Sequence, residues 1–388
     1  MKPDFLIAEA GAVEIDAVVS ACPSIRHVIW VAQEGNRHMD WNVVPEGTGG
    51  KVEAVVWHEL VEERKNLTST KVLPLDKDTK EKSLATFWST EGDVGQLVEY
   101  TSEVSRGLLE LIVKTEPIQN LVAGTAALIS ALPRPHRIGP SDILLSTSSL
   151  TSSYPLCLTF AALFSNASIA FNSVASENAD LSLAAVGVSP TILVSSAQTM
   201  HGYHNKTISQ ANGFVAQISR KIQEQSLDAG NMPSRNPVVR LAEIDTTLSL
   251  SKLRLLFVSH RPGAPQSPKL ASNVLSDLRM LLGARIGYAL TAAPVAGATA
   301  QTNIFDYRKT AGNASFGPPV SCVEILLSGD ESQISQPEPS GKVGLKDLSS
   351  TSIANISQIF VRGPSVVNGA ATLDVEGRIG GDNTLSVL

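Results

Sequence analysis

Hydrophobic and polar positions follow two different rhythms along this chain, and the change between them marks its organisation. Phe5 to Ala8 is a short apolar run, Val13 to Ala21 has helical spacing, and Val28 to Ala32 is a second apolar run. A strand, a helix and a strand in that order predict a βαβ unit with a parallel sheet. Residues 33–83 are more polar, with Gly47 to Gly50 as a loop signal and Glu59 to Lys65 as a charged face. Leu84 to Ser89 predicts a strand that runs into Thr90–Gly95. A helical tract follows from about Val104 to Leu132. Pro117 breaks it in two, because proline removes a backbone donor and clashes with the preceding turn. Asp142 to Ser146 predicts a strand, Tyr154 to Leu163 a buried helix and Ala167 to Asn172 another strand. Leu181–Val186 then Pro190–Val194 repeats the helix-then-strand order. An amphipathic helix near Ala211–Gln225, a loop around Gly230–Pro237, a strand at Leu253–Ser259, the loop Pro262–Pro265 and a helix near Lys269–Leu282 follow.

The rhythm changes after about residue 315. Short alternating runs at Val323–Leu327, Gln358–Arg362 and Leu385–Leu388 are separated by Gly, Pro and Ser. They predict a small antiparallel sheet or barrel after an α/β body. The expected division is an α/β body over 1–314 and a small β-rich subdomain over 315–388.

Composition narrows the function classes. Hydrophobic residues make up 43% of the 388 and charged residues 18%, against a usual charged share of about 25%. Such a chain buries much of itself or presents a rather neutral surface, and is not a disordered charged tail. A net charge of -6 argues against sequence-blind nucleic-acid binding, which needs a basic stripe. Cys22, Cys157 and Cys322 lie far apart, which excludes a disulfide framework and a Cys-x-x-Cys metal site. Met1 to Asp4 begins no apolar signal core. The stretch from Leu144 to Val174 is interrupted by Ser, Thr, Asn and Pro and falls short of a membrane span. The expectation is an intracellular protein, not secreted, without a membrane span. Residues 141–200 hold only Asp142, Glu177 and Asp180 as charges, so this region reads as interior, and all four tryptophans fall in the first 88 residues.

Little chemistry is legible from spacing alone. Among seven histidines only His201 and His204 are close, without the Glu of a zinc-protease helix, so no metal site is expected. Ser259 and His260 are adjacent on a strand and point to opposite faces. Arg134, His136 and Arg137 form a small basic loop between prolines; it reads as a solvated linker, with contact to an anionic lipid headgroup as the functional alternative.

Several segments, in order, resemble the adenylate-forming (AMP-binding) superfamily, and within it eukaryotic long-chain fatty acyl-CoA synthetases. Asp306–Gly312 with Gly317–Ile325 resembles the stretch after the family's Tyr-Gly-x-Thr-Glu motif. Val361–Gly369 resembles its Val-Arg-Gly-Pro-x-Val loop, Ser259–Pro265 its Ser-Gly-Gly-Ala-Pro loop, Pro190-Thr191 the opening of a central strand and Asn120–Gly124 the helix after the phosphate loop. The resemblance implies a partial adenylate-forming large domain. It also implies that the family's first strands and helices and its C-terminal lid are missing. Nucleotide-binding positions fall on Ser89, Thr90, Gly92, Gly95, Ala264, Pro265, Gly287, Tyr288 and Thr291.

The same comparison exposes losses. The phosphate-loop Lys is replaced by Leu97, and Glu91 and Asp93 put negative charge where a triphosphate would lie. Ala292 stands for the carboxylate that would hold Mg²⁺, which needs oxygen ligands. Arg378 replaces the ribose-clamping Asp, and an Arg has no acceptor. Ser152 stands where the family has a histidine. The expectation is a catalytically impaired pseudoenzyme acting as a binding or scaffold module for a fatty acyl group, a nucleotide or a protein partner. No cofactor is certain. The alternative is an active ligase of lipid metabolism, forming an acyl-adenylate and acyl-CoA from a long-chain fatty acid with ATP and Mg. The resemblance places it in the cytoplasm or peripherally on the endoplasmic reticulum, peroxisome or lipid droplet.

Overall fold

The computed structural model describes residues 3–32, 41, 52–64, 84–88, 96–100, 120–172, 175–176, 178–210, 214–233, 250–264, 267–310, 312–328 and 357–388. The chain divides into two compact units, Met1–Lys80 and Glu81–Leu388.

The first unit is the expected βαβ arrangement. Strand β1 (Phe5–Glu9), helix α1 (Ile15–Ala21), β2 (His27–Val31), β3 (Glu53–Val56) and α2 (Trp57–Arg64) follow in order. The three strands form a parallel sheet, β1-β2-β3. Its small core gathers Ile15, Ile25, Val28, Trp30, Val52 and Ala54.

The second unit begins with a hairpin, β4 (Leu84–Trp88) and β5 (Gln96–Tyr100), antiparallel with Trp88 opposite Gln96. The predicted break at Pro117 lies outside the described residues. Helix α3 (Asn120–Ser130), β6 (Ile143–Ser146), α4 (Ser153–Phe164), β7 (Ser168–Ala170), α5 (Leu181–Ala184), β8 (Ile192–Ser196), α6 (Ala197–Gln210), α7 (Phe214–Asp228), β9 (Leu255–His260), α8 (Ser272–Leu282), β10 (Arg285–Leu290) and β11 (Ala300–Gln301) build the body. Its sheet has the order β11-β10-β9-β8-β6-β7, parallel except for β11. Strands in such a sheet are covered on both faces and read as continuous apolar runs. That is why Leu255 to Val258 and Ile192 to Val194 were legible, and every residue of these runs is buried.

Several elements were not foreseen, β3 and β5 among them. Helix α6 buries Ala197, Met200 and His204, a helical spacing masked by the polar residue at its third position. Strand β10 contains a glycine, Gly287, where a Cβ would come within 3.1 Å of the Phe257 ring. The gap makes room for β9, but it weakens the apolar run. Strand β11 has only two residues. Strand β14 (Ala370–Ile379) alternates weakly and ends in a glycine-rich stretch.

The C-terminal sheet is four-stranded and antiparallel: β12 (Glu324–Ser328), β13 (Ser357–Arg362), β14 and β15 (Leu385–Val387). Strand β13 alternates, burying Ser357, Ile359 and Val361 and exposing their neighbours, as a one-face-covered sheet requires. Ile325, Ile359, Val361, Leu373, Leu385 and Val387 share one continuous core with the strands of the six-stranded sheet. Two polar ties reinforce this. The Asn120 amide at the start of α3 donates to the carbonyls of Pro364 (2.7 Å) and Val366 (3.1 Å). The Ala296 N–H donates to the Ser365 carbonyl (2.9 Å). Helix α3 approaches this segment so closely that a Cβ on Gly124 would lie 2.3 Å from the Ala296 carbonyl oxygen, so only glycine fits.

Among the described residues no helix is long and apolar enough to cross a membrane.

Candidate functional site at the carboxyl ends of the central strands

Open parallel sheets bind ligands outside the carboxyl ends of their strands. Here those ends are lined with hydroxyls: Ser146, Thr147 and Ser148 at β6, Ser195 and Ser196 at β8, Ser259 at β9 and Thr291 after β10. Most satisfy one another. The Thr147 hydroxyl donates to Ser195 Oγ (2.9 Å), Ser146 Oγ to the Ser148 carbonyl (2.8 Å), Ser196 Oγ to Thr199 Oγ1 (3.1 Å) and Thr291 Oγ1 to the His260 carbonyl (3.0 Å). Three buried polar atoms at this end have no partner: Ser148 Oγ, His260 Nε2 and Thr299 Oγ1. Buried polar groups are nearly always hydrogen-bonded, so these atoms mark where the end of the sheet is chemically unfinished.

A stack of three rings closes the middle of this end. His260 lies 5.4 Å from Phe316, and Phe316 lies 4.6 Å from Tyr288, all centroid to centroid and nearly parallel. All three are almost fully buried. Burial pulls the His260 pKa down to about 4, helped by the Lys269 charge and opposed by a hydrogen bond to the Pro268 carbonyl. The imidazole is therefore neutral at physiological pH. Burial also raises the Tyr288 phenol well above its usual range; its hydroxyl accepts from the Leu270 N–H (3.1 Å).

The residues singled out from the sequence scatter around this end. Tyr288 sits in the core with one ring face against Phe316. Gly287 faces the Phe257 ring. Thr291 is buried on the His260 carbonyl. Ala292 is half-buried and packs on the core. Ala264 is half-buried in the turn after β9, with its N–H on the Arg261 carbonyl (3.4 Å). Ser152 precedes α4 without a side-chain capping bond. Arg378 is exposed on β14, paired with Ser386 of β15. Leu97 lies on β5 opposite Phe87. Ser89, Thr90, Gly92, Gly95 and Pro265 lie outside the described residues. The structure thus brings Gly287, Tyr288, Thr291 and Ala292 together and leaves Arg378 on the outer sheet.

At the β7 edge of the same sheet, the carboxyl ends of β6 and β7 open into a small recess of about 30 Å³. Leu144, Leu150, Ile169 and Phe171 give it apolar walls, and Ser146, Ser148 and Thr159 give it hydroxyls. No charged residue lines it.

Pattern reasoning missed two groups. Phe316 had no signal, because it lies far along the chain from both rings it touches. Asp277, buried on α8, forms the second: His204 Nε2 lies 2.8 Å from its carboxylate, and the Arg220 guanidinium donates to both oxygens at 2.6 Å. This network neutralises a buried charge between helices and lies away from the strand ends. No cluster of three or more metal-ligating side chains occurs among the described residues.

Among the described residues, Tyr288 and Ala292 do not fit an adenine ring with Mg²⁺ as the resemblance implies. Phe316 occupies a face of the one aromatic ring at the expected position, and Ala292 offers no oxygen to a hard cation.

No family model and no curated protein matches the chain. Solved structures do. A malonyl-CoA ligase with methylmalonyl-CoA and AMP bound superposes with a TM-score of 0.52 at 14% identity, over 98% of this chain and 64% of the ligase. An anthranilate CoA ligase in complex with anthranoyl-AMP gives 0.54 at 13%, over 100% of this chain and 58% of its own. The N-terminal domain of FACL13 from Mycobacterium tuberculosis gives 0.53 at 10%, over 96% and 76%. The chain spans less than two thirds of the length of the first two. At these identities the likeness is one of fold: a partial adenylate-forming large domain, with a parallel-sheet body and a small antiparallel sheet.

Proposed function

We propose that this protein is an acyl-CoA-synthetase-like binding module that no longer adenylates its ligand. The observation that carries this reading is the His260–Phe316–Tyr288 stack, which fills the carboxyl end of the sheet with the protein's own rings. Ala292 adds to it, because the position has no metal-binding oxygen. Losing single groups of this electrostatic kind typically costs about 10²–10³ in rate, and such losses do not add simply. The apolar, uncharged lining of the small recess at β6 and β7, and not its volume, supports a ligand such as a fatty acyl group, with its polar end on Ser148 Oγ. The module works inside the cell, on or near lipid, with its 315–388 subdomain as part of the same binding body.

Calorimetry with ATP and AMP, a pyrophosphate-release assay with palmitate, and displacement of a fluorescent fatty acid test this together. The expected result is no pyrophosphate release and no magnesium-dependent ATP binding, with fatty-acid binding weakened by Ser148→Val. Pyrophosphate release above background would overturn the reading in favour of an active fatty acid–CoA ligase.

A further inference from the structure

The opposite end of the six-stranded sheet carries a group of cations that the proposed binding function does not use. Arg254 precedes β9, Arg285 opens β10, and the 3-10 turn Arg134–His136, followed by Arg137, leads towards β6. Arg254 organises the group. Its guanidinium pairs side-on with Asp142 (2.8 and 2.6 Å) and donates to the carbonyls of His136 (3.1 Å) and Arg137 (3.0 Å). Asp142 is buried and also accepts from Thr191 Oγ1 (2.8 Å) and the Gly139 N–H (2.9 Å), so its charge is fully engaged. The Arg285 N–H donates to the Arg254 carbonyl (3.0 Å), which joins the starts of β9 and β10 at this edge.

Phe305 joins the parts. Its ring is 45% exposed. The His136 ring meets it edge-on at 5.2 Å, and the Arg285 guanidinium lies over it at 5.3 Å. The neighbouring Asp306 is held by Arg308 (2.8 and 2.6 Å) and leaves Arg285 without its carboxylate. Arg285 Nε is buried and has no hydrogen-bond partner. Arg134 and Arg137 are exposed, and neither they nor Arg285 make an ion pair among the described residues. The local potential registers on His136, whose pKa is lowered by burial and then by Arg285 and Arg254.

This is an arrangement for receiving an anion. Arg254 is tied to Asp142 and to two backbone carbonyls, Arg285 is held by the Phe305 ring and not by a carboxylate, and Arg134 and Arg137 are exposed, so the donors of these last three stay open. Of the four arginines at this edge only Arg254 is paired with a carboxylate, in a chain of net charge -6. A guanidinium matches phosphate oxygens two at a time, and a phosphate offers three oxygens and up to two charges.

We propose that the amino-terminal edge of the six-stranded sheet binds a phosphate group, with Arg285, Arg134 and Arg137 on its oxygens and Phe305 holding Arg285 in place. The phosphate belongs to a soluble phosphate compound or to a lipid headgroup, and the probes separate the two. Full-length protein is titrated with inorganic pyrophosphate by calorimetry. It is also floated with phosphatidylcholine vesicles that contain or lack phosphatidic acid. Binding of pyrophosphate supports a soluble source. Flotation only with phosphatidic acid supports a headgroup.

The double variant Arg134→Glu/Arg137→Glu weakens either interaction by about 100-fold, at about tenfold per charged contact. Phe305→Ala weakens it less. Arg26→Glu, on the other compact unit, leaves it unchanged, and far-UV circular dichroism checks that each variant folds. Ligand raises the pKa of His136, read from its imidazole resonances, because phosphate neutralises the arginines that depress it. The proposal is overturned if neither probe binds. It is equally overturned if binding survives the double variant or is lost alike in Arg26→Glu. A failure here leaves the acyl-binding proposal untouched, because the two sites lie at opposite ends of the sheet.

Discussion

His260 is the residue where chemistry and stability meet. Its imidazole is held neutral, with a pKa near 4 against about 6.5 for the unfolded chain. The folded-state pKa is depressed, so the stability it contributes is complete above pH 6.5 and is lost as pH falls towards 4, where the unfolded chain binds the extra proton. The difference is worth on the order of 3 kcal/mol. The thermal midpoint of the wild type should fall steeply between pH 6.5 and 4, and His260→Phe should flatten that slope. An unchanged slope in the variant would show that the ring is not buried as described. Sequence spacing brought His260 forward only to dismiss it, because its neighbour Ser259 points to the other face. Its partner Phe316 had no local signature at all. Tyr288 was legible as a position and not as an environment: the pattern named the residue, while the ring against its face comes from a distant segment.

At the scale of elements, α4 shows how far periodicity reaches. The apolar run over Tyr154–Leu163 read as a buried helix, and Tyr154, Cys157, Leu158, Ala161 and Ala162 are buried. The run was too apolar to reveal its own outer face: Phe164 is 79% exposed, and Leu163 is also exposed. The two faces should separate in a denaturant titration. Leu158→Ala should cost about 2–5 kcal/mol, through lost burial and a residual cavity. Phe164→Ala should stay within about 0.5 kcal/mol, as surface changes do. Equal losses would mean that Phe164 is covered. Helix α6 makes the converse point. Its buried stripe includes His204, which a hydrophobic count scores as polar; only the Asp277 carboxylate across the helix packing explains why a histidine belongs there.

At the scale of the molecule, the six-stranded and four-stranded sheets of the larger unit share one core. The subdomain that sequence rhythm separates after residue 314 should therefore not unfold by itself. Val361→Ala on β13 should cost roughly 2–3 kcal/mol and lower the calorimetric transition of the whole Glu81–Leu388 unit. A new, separate low-temperature transition would show that the C-terminal sheet is independent.

The sequence by itself determined the α/β class, the parallel βαβ opening, the central apolar strands and the late switch to alternating antiparallel strands. Those features depend on local periodicity and on burial averaged over a few residues, both of which are written along the chain. The alanine at position 292, where the resembled family carries a carboxylate, was also readable from the sequence, since a side-chain identity needs no geometry. The tertiary structure alone decided which rings stack at the carboxyl end of the sheet, which hydroxyls go unpaired and which arginines stay open. Each of these depends on contacts between residues far apart in the chain, such as His260 with Phe316 or Arg285 with Phe305. No spacing rule encodes such contacts, because they follow from how the strands are ordered in the sheet.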